Sequence, residues 1–215
     1  MTDRLDPARL DELWDFTDPD ASAERFANEI PNSLSDEGVE GTATAELQTQ
    51  LARALGLAGR GEEADELLES IESSAPVVAI RLSLERGRRL NSDGFPEQAI
   101  TYFADALALA EDEGEDFLAA DAIHMLAIAD AENSVGWAVR GIQFVDAATD
   151  ARTKRWAIAL HNNLGWQLFD ADRFEEALTE FELSLIAAQQ HGSAQQQQWA
   201  REAIDETIAA LTESG

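Results

Sequence analysis

The feature that most constrains the fold of this chain is a repeated spacing of small residues. Four alanines lie 35, 39 and 39 positions apart: Ala64, Ala99, Ala138 and Ala177. Each is followed four positions later by a large apolar residue, and these residues are Leu68, Phe103, Ile142 and Phe181. Periods of this length are typical of stacked helical hairpins, in which each hairpin buries its apolar side against its neighbours. We therefore expect an all-α fold.

The positions of proline, glycine and helix-capping residues divide the chain into eleven predicted helices. Two helices, Pro7–Asp15 and Pro19–Ile30, precede a linker at Pro31–Thr44, and Asp18 and Asp20 are candidate caps for the second helix. Four helix pairs follow at 45–73, 78–111, 116–148 and 151–190, with a solitary last helix at 194–213. The expected domains are an acidic N-terminal helical cap and linker, four hairpins and a C-terminal capping helix, at 1–44, 45–191 and 192–215.

The hairpins carry a recognisable motif. Its clearest copy is HNNLGWQL at 161–168, continued by Ala177 and Phe181. This copy resembles the tetratricopeptide repeat, whose pattern runs W-x2-L-G-x2-Y and then A-x3-F and P. Leu164 and Gly165 match that pattern, whereas other residues replace its tryptophan and tyrosine. Four such copies in one phase span about residues 45–191.

The resemblance implies a right-handed α–α superhelix in which the first helix of each pair lines a concave face. The whole chain is also similar to a group of bacterial, mainly actinobacterial, tetratricopeptide proteins, through stretches such as LWDF, ERGR and NNLGW. This second likeness carries no activity with it.

The charge and composition exclude several kinds of function. The formal net charge is −28, so nucleic acid and anionic membranes are expected to be repelled. The chain contains no cysteine, which excludes thiol catalysis and thiolate metal sites, and no apolar run suggests a signal or a membrane span. We expect a cytoplasmic protein. The acidity itself has three open explanations: solubility, a salt-rich cytoplasm or GC-rich genome, and steering of a basic partner.

The residues expected on the concave face form the candidate binding site. They combine arginines for carboxylates, amides for a peptide backbone and one aromatic anchor: Gln50, Arg53, Arg81, Glu85, Arg88, His124, Asn162, Asn163 and Trp166. The preferred function is a non-enzymatic scaffold or adaptor that binds an extended acidic or C-terminal segment of a partner protein. An alternative to peptide binding by the arginines is that Arg81, Glu85 and Arg88 only pair with each other on a solvated helix face. In the alternative for the function, the groove is a sensor site for a small anionic ligand or a signalling peptide.

Catalytic, metal and cofactor sites are not expected. The three histidines, His124, His161 and His191, come from different predicted helices and lack zinc-site spacing. Asp121 and His124 could form a base and its orienting partner, but no nucleophile accompanies them. Two basic clusters are expected to bridge neighbouring carboxylates: Arg81, Arg86, Arg88 and Arg89, and Arg152, Lys154 and Arg155. An exposed tryptophan among Trp137, Trp156 and Trp199 would favour self-association.

Overall fold

A computed structural model describes residues 4–33 and 41–214, which form twelve helices and no strand. The helices are α1 (Pro7–Leu13), α2 (Pro19–Ser33), α3 (Thr42–Leu57), α4 (Gly61–Ser70), α5 (Pro76–Ser92), α6 (Pro96–Glu113), α7 (Asp116–Ala129), α8 (Ser134–Ala147), α9 (Ala151–Lys154), α10 (Trp156–Asp170), α11 (Phe174–His191) and α12 (Ala194–Ser214). The all-α prediction is confirmed. The chain divides into two compact units, unit 1 (Met1–Glu115) and unit 2 (Asp116–Gly215).

The predicted helix pairs correspond to the pairs α3–α4, α5–α6, α7–α8 and α10–α11. The twelfth helix is the four-residue α9, which the sequence had placed in the same helix as α10. Asp150 starts α9 because its carboxylate accepts hydrogen bonds from the backbone N–H groups of Arg152 and Thr153, both at 2.9 Å.

The predicted linker Pro31–Thr44 is wrong at both of its ends. Pro31–Ser33 is the last turn of α2, so the helix continues through a proline, which removes one i→i−4 hydrogen bond, and ends two residues later. Thr42 already begins α3, and Thr44 Oγ1 donates to the carbonyl oxygen of Ser33 at 3.2 Å. The middle of the predicted linker, residues 34–40, lies outside the described residues. At the other end of α2, Asp18 is the predicted cap, because its carboxylate accepts the N–H of Ala21 at 3.0 Å.

The hairpin turns repeat at the same phase as the small alanines. Gly59 and Gly94 adopt φ values of +78° and +84°, each five residues before the alanine of its hairpin. Asp172 stands at the same place in the fourth hairpin with φ +57°. Three hairpins therefore share one left-handed turn residue, a conformation that glycine adopts without steric cost and aspartate tolerates.

The third hairpin closes in a different way. Its corresponding residue, Asn133, has an ordinary φ of −113°. The carboxylate of Asp130 instead accepts hydrogen bonds from Asn133 Nδ2 at 3.0 Å and from Trp137 Nε1 at 2.9 Å. Side-chain hydrogen bonds thus hold the turn in the hairpin whose sequence motif is weakest.

This turn is expected to make stability depend on pH. The Trp137 indole, opposed by desolvation and aided by Asn133, holds the pKa of Asp130 below its usual value of 3.8. A carboxyl whose pKa is lower in the folded state stabilises the fold above its unfolded pKa, and loses that effect as pH falls through the folded one. Asp130→Asn should therefore lower the free energy of unfolding at pH 7 but much less at pH about 2, well below the usual value of 3.8.

Urea unfolding of the wild type and Asp130→Asn at both pH values measures this difference. Trp137→Phe removes the main donor and is expected to reduce the pH dependence in the same way. A gap between wild type and Asp130→Asn that is equal at both pH values would contradict the assignment.

Two of the hairpin motifs, the second and the fourth, place a glycine against an aromatic ring. A Cβ added to Gly87 of α5 would lie 2.5 Å from Cε1 of Phe103 on α6, and one added to Gly165 of α10 would lie 2.6 Å from Cε1 of Phe181 on α11. Both rings are fully buried. At both glycines the near neighbour is the ring of the second helix, so the absence of a Cβ makes room for that ring.

The last helix, α12, packs on α11 through a narrow strip of small residues. Ala200, Ala203 and Thr207 are buried, and Thr207 Oγ1 donates to the Ala203 carbonyl oxygen at 2.7 Å. Trp199, in contrast, is 50% exposed on its flank. Within residues 4–33 and 41–214, none of the helices combines the length and the apolar character that crossing a membrane requires.

Candidate functional site

In unit 1, part of the predicted groove is occupied by the N-terminal segment of the same chain. We call Glu46, Gln50 and Arg53 the α3 stripe, since their spacing of i, i+4 and i+7 places them on one face of α3. Trp14 Nε1 donates to Gln50 Oε1 at 3.2 Å, and the backbone N–H of Leu5 donates to Glu46 Oε1 at 3.2 Å. The segment from Leu5 to Trp14 therefore lies along this face.

Arg53 completes the contact with the N-terminal segment. The rings of Trp14 and Phe16 stack with their centroids 4.5 Å apart and an interplanar angle of 3°. The guanidinium carbon of Arg53 lies 5.5 Å from the first ring and 5.6 Å from the second. This is a cation–π arrangement, in which the positive guanidinium is attracted to the negative ring faces.

Glu46 is the buried centre of a chain of charges. Its side chain is 1% exposed and pairs with Arg81 Nε of α5 at 3.1 Å and with Arg4 Nε at 3.6 Å. Arg4 also forms an ion pair with Glu115. Glu46 was not among the predicted site residues. It is nevertheless the residue of the α3 stripe that joins α3, α5 and the N-terminal segment.

The other predicted residues of unit 1 also have partners within the chain. Arg88 Nη1 lies 2.7 Å from Glu85 Oε1, and Glu85 is 2% exposed. This pair matches the alternative in which the α5 charges pair with each other, although Arg81 pairs with α3 instead. The nearby Arg89 contacts Asp65, whose hydrogen bond, opposed by desolvation, raises the arginine pKa above its usual value.

A cavity of about 250 Å³ opens beside this charge chain. It is lined by Arg4, Thr42, Ala75, Pro76, Val77, Glu113 and Glu115. Two carboxylates and one guanidinium make the lining net negative, and Arg4 is already engaged by Glu115 and Glu46. This charge balance does not suit a small anion.

In unit 2, predicted residues from two helices meet. Asn163 Nδ2 of α10 lies 2.9 Å from His124 Nε2 of α7, and Asn162 Nδ2 donates to Asn163 Oδ1 at 3.4 Å. Since an amide nitrogen only donates, His124 accepts through Nε2 in this contact. We call these three residues the polar row; all are partly exposed.

An aromatic cluster that sequence reasoning had assigned to packing borders the polar row. The Trp156 ring centroid lies 5.1 Å from that of His124 and 5.6 Å from that of Phe117. The guanidinium carbon of Arg152 lies 3.5 Å from the centroid of Phe117, so a member of the second basic cluster binds a ring. The buried Nε1 of Trp156 and Oγ1 of Thr153 have no hydrogen-bond partner.

Trp166, predicted as an exposed anchor, contributes to the core instead. Its ring packs edge-on against Phe181, with centroids 5.0 Å apart, and against Phe169 at 5.4 Å. It remains partly exposed. The same side chain can contact a partner only through the part that the core leaves open.

The histidines do not gather. His161 is 8% exposed and contacts Glu180 Oε2 through Nδ1 at 2.7 Å, which joins α10 to α11, whereas His191 ends α11. Asp121 is buried in α7 at 3% exposure. In the part of the chain that the structure describes, no three histidine, aspartate or glutamate side chains are placed to share a metal ion.

The fold defines this chain as an all-α protein of packed helical hairpins. No protein-family model matches it, and no curated protein is similar enough to count as a relative.

Proposed function

We propose that this chain is a non-enzymatic interaction module of the tetratricopeptide type that binds an extended peptide of a partner protein. The repeat phase, the shared hairpin turns and the glycine–ring contacts support that class. The right-handed superhelix and the cytoplasmic location stay predictions.

The observation that carries the proposal is the polar row. It presents two amides and an imidazole on adjacent helices, side by side and partly exposed. Amides both donate and accept, so they pair with the alternating N–H and C=O groups of an extended peptide. The bordering ring of Trp156 offers flat apolar contact of the kind common at binding hot spots.

The structure changes one part of the predicted specificity. The preference for an acidic segment depended on Arg53, Arg81 and Arg88, and each of these contacts a ring or a carboxylate of its own chain. The proposal for unit 2 therefore includes no charge preference. The sensor alternative loses support for a similar reason, because the cavity beside Arg4 has a net negative lining. Self-association has one supporting observation, the half-exposed Trp199.

The test is a peptide selection on the full chain. Peptides from a random library that bind wild type are measured against a variant with Asn162→Ala and Asn163→Ala. A control variant with Gln189→Ala and Gln190→Ala removes two amides that lie exposed on α11. We expect at least tenfold weaker binding to the first variant, about 1.4 kcal/mol, and unchanged binding to the control.

Two outcomes would contradict the proposal. One is a selection that yields no binding peptide. The other is peptides whose affinity is the same for both variants, which would place the site elsewhere. A further substitution, His124→Ala, separates peptide binding from catalysis: binding should weaken but stay measurable because Asn162 and Asn163 remain, whereas a reaction that uses the imidazole would stop.

A further inference from the structure

The α3 stripe shows which chemistry it recognises, because a segment of the same chain already occupies it. The contacts come from four kinds of group: a guanidinium, a main-chain N–H, an indole N–H and a stacked pair of rings. Their acceptors and partners on α3 are Glu46, Gln50 and Arg53. The spacing of these residues follows one helix face, so the recognition is a property of α3 and not of a loop.

The segment is acidic and carries a Trp-x-Phe pair. It reads RLDPARLDELWDF from residue 4 to residue 16, with four acidic and two basic residues. Its apolar residues Leu10 and Leu13 are buried, and Trp14 packs edge-on against Phe26 with centroids 5.1 Å apart. Arg9 pairs with Glu29 of α2 at 2.7 Å.

The contact at the end of the segment is the most accessible part. Phe16 is 60% exposed although its ring is stacked on Trp14 and lies beside Arg53. A large aromatic side chain held on the surface by a ring and a guanidinium is placed to be exchanged for the same group from another molecule. Exchange also requires α1 to release its contacts with α2, including the Arg9–Glu29 pair and the packing of Trp14 on Phe26.

We propose that the α3 stripe is a docking site for segments of other proteins that carry a Trp-x-Phe pair, and that residues 4–16 occupy this site in cis. A covalently attached segment is present at a high effective concentration. A segment of another protein therefore binds only when the cis contact is weakened, or when that segment binds the α3 stripe much more tightly than residues 4–16 do. The site differs from the polar row of unit 2, and the two can fail independently.

The test uses the full chain and a fluorescent peptide with the sequence of residues 4–16. In a Trp14→Ala, Phe16→Ala variant the cis segment lacks both rings, and we expect the peptide to bind at least tenfold more tightly than to wild type. Adding Arg53→Glu to that variant is expected to weaken binding at least tenfold. The guanidinium that attracts the negative ring faces of the peptide is then replaced by a carboxylate that repels them. A peptide with both aromatic residues changed to alanine is expected not to bind.

A milder variant guards against loss of folding. Phe16→Ala alone removes an exposed ring and keeps Trp14, so it should remain folded and still gain affinity for the peptide. The proposal is overturned if folded variants do not bind the peptide, or if Arg53→Glu leaves binding unchanged. A wild-type dimer that becomes monomeric in the Trp14→Ala, Phe16→Ala variant would also overturn it, since a second copy would then supply the segment. Binding of the library peptides that depend on Asn162 and Asn163 is measured in parallel. If the α3 stripe fails to bind the 4–16 peptide, that measurement still tests the proposed function independently.

Discussion

Replacement of Phe181 by alanine is expected to cost about 3–5 kcal/mol of the free energy of unfolding. The ring is 0% exposed, lies against the backbone of Gly165 and packs edge-on against Trp166. Removing it leaves a cavity that the two flanking helices cannot close without moving. Urea unfolding followed by circular dichroism measures the change.

The matched control is Ile186→Ala on the same helix. Ile186 is 49% exposed, so its truncation should change stability by no more than about 0.5 kcal/mol. Wild-type stability in Phe181→Ala would refute the repeat phase that places this ring between helices.

The glycine opposite the ring provides a second arm of the same experiment. A Cβ at position 165 would lie 2.6 Å from the ring of Phe181, so Gly165→Ala should cost about 1–3 kcal/mol through overpacking. Phe181→Leu removes the atoms that clash. The double variant is therefore expected to lose less stability than the sum of the two single losses. Strictly additive losses would show that the two positions do not touch. Enlarging Ala177, which is 0% exposed, should overpack by a similar amount.

Breaking the buried ion pair between Glu46 and Arg81 is the second large expected effect. Arg81→Met is expected to cost about 3–5 kcal/mol, because it removes a principal partner of a carboxylate that is 1% exposed. The two side chains join α3 to α5, so the loss should appear in the stability of unit 1. Thermal and urea unfolding of the variant measure it.

Two further variants separate burial from the mere loss of a charge. Glu46→Leu with Arg81→Met replaces both charges by apolar groups and should lose less than either single change. Arg173→Met breaks the exposed pair with Glu176, whose side chains are 51% and 60% exposed, and should cost less than about 1 kcal/mol. Equal losses at the buried and exposed pairs would contradict the role given to Glu46.

Much of the fold was readable because helix signals are local. Proline, glycine and capping aspartates mark the helix ends, and the four pairs and the last helix occur close to the predicted bounds. The failures at Pro31 and Thr42 have a common cause. Polar residues without apolar periodicity were read as a linker, whereas packing of α2 against α3 extends both helices into that stretch.

The candidate site was only partly readable, because a helix wheel gives the face of a residue and not what covers that face. His124 and Asn163 do meet across α7 and α10, as two stripes facing the same side would require. Gln50 and Arg53, in contrast, contact Trp14 and Phe16 from a segment about 35 positions earlier in the chain. No periodicity within α3 signals that contact.

The sequence by itself determined the period of the hairpins, most of the helix ends and the acidic character of the chain. These follow from backbone geometry and from composition, which act over a few residues or over the whole chain. Only the tertiary structure decided that Arg81 reaches Glu46, that the N-terminal segment lies on α3, and that Trp166 packs into the core. The physical reason is burial, which depends on side chains that are distant in the sequence. A charge or ring that those side chains remove from water stabilises the fold, whereas one that they leave exposed is available for binding.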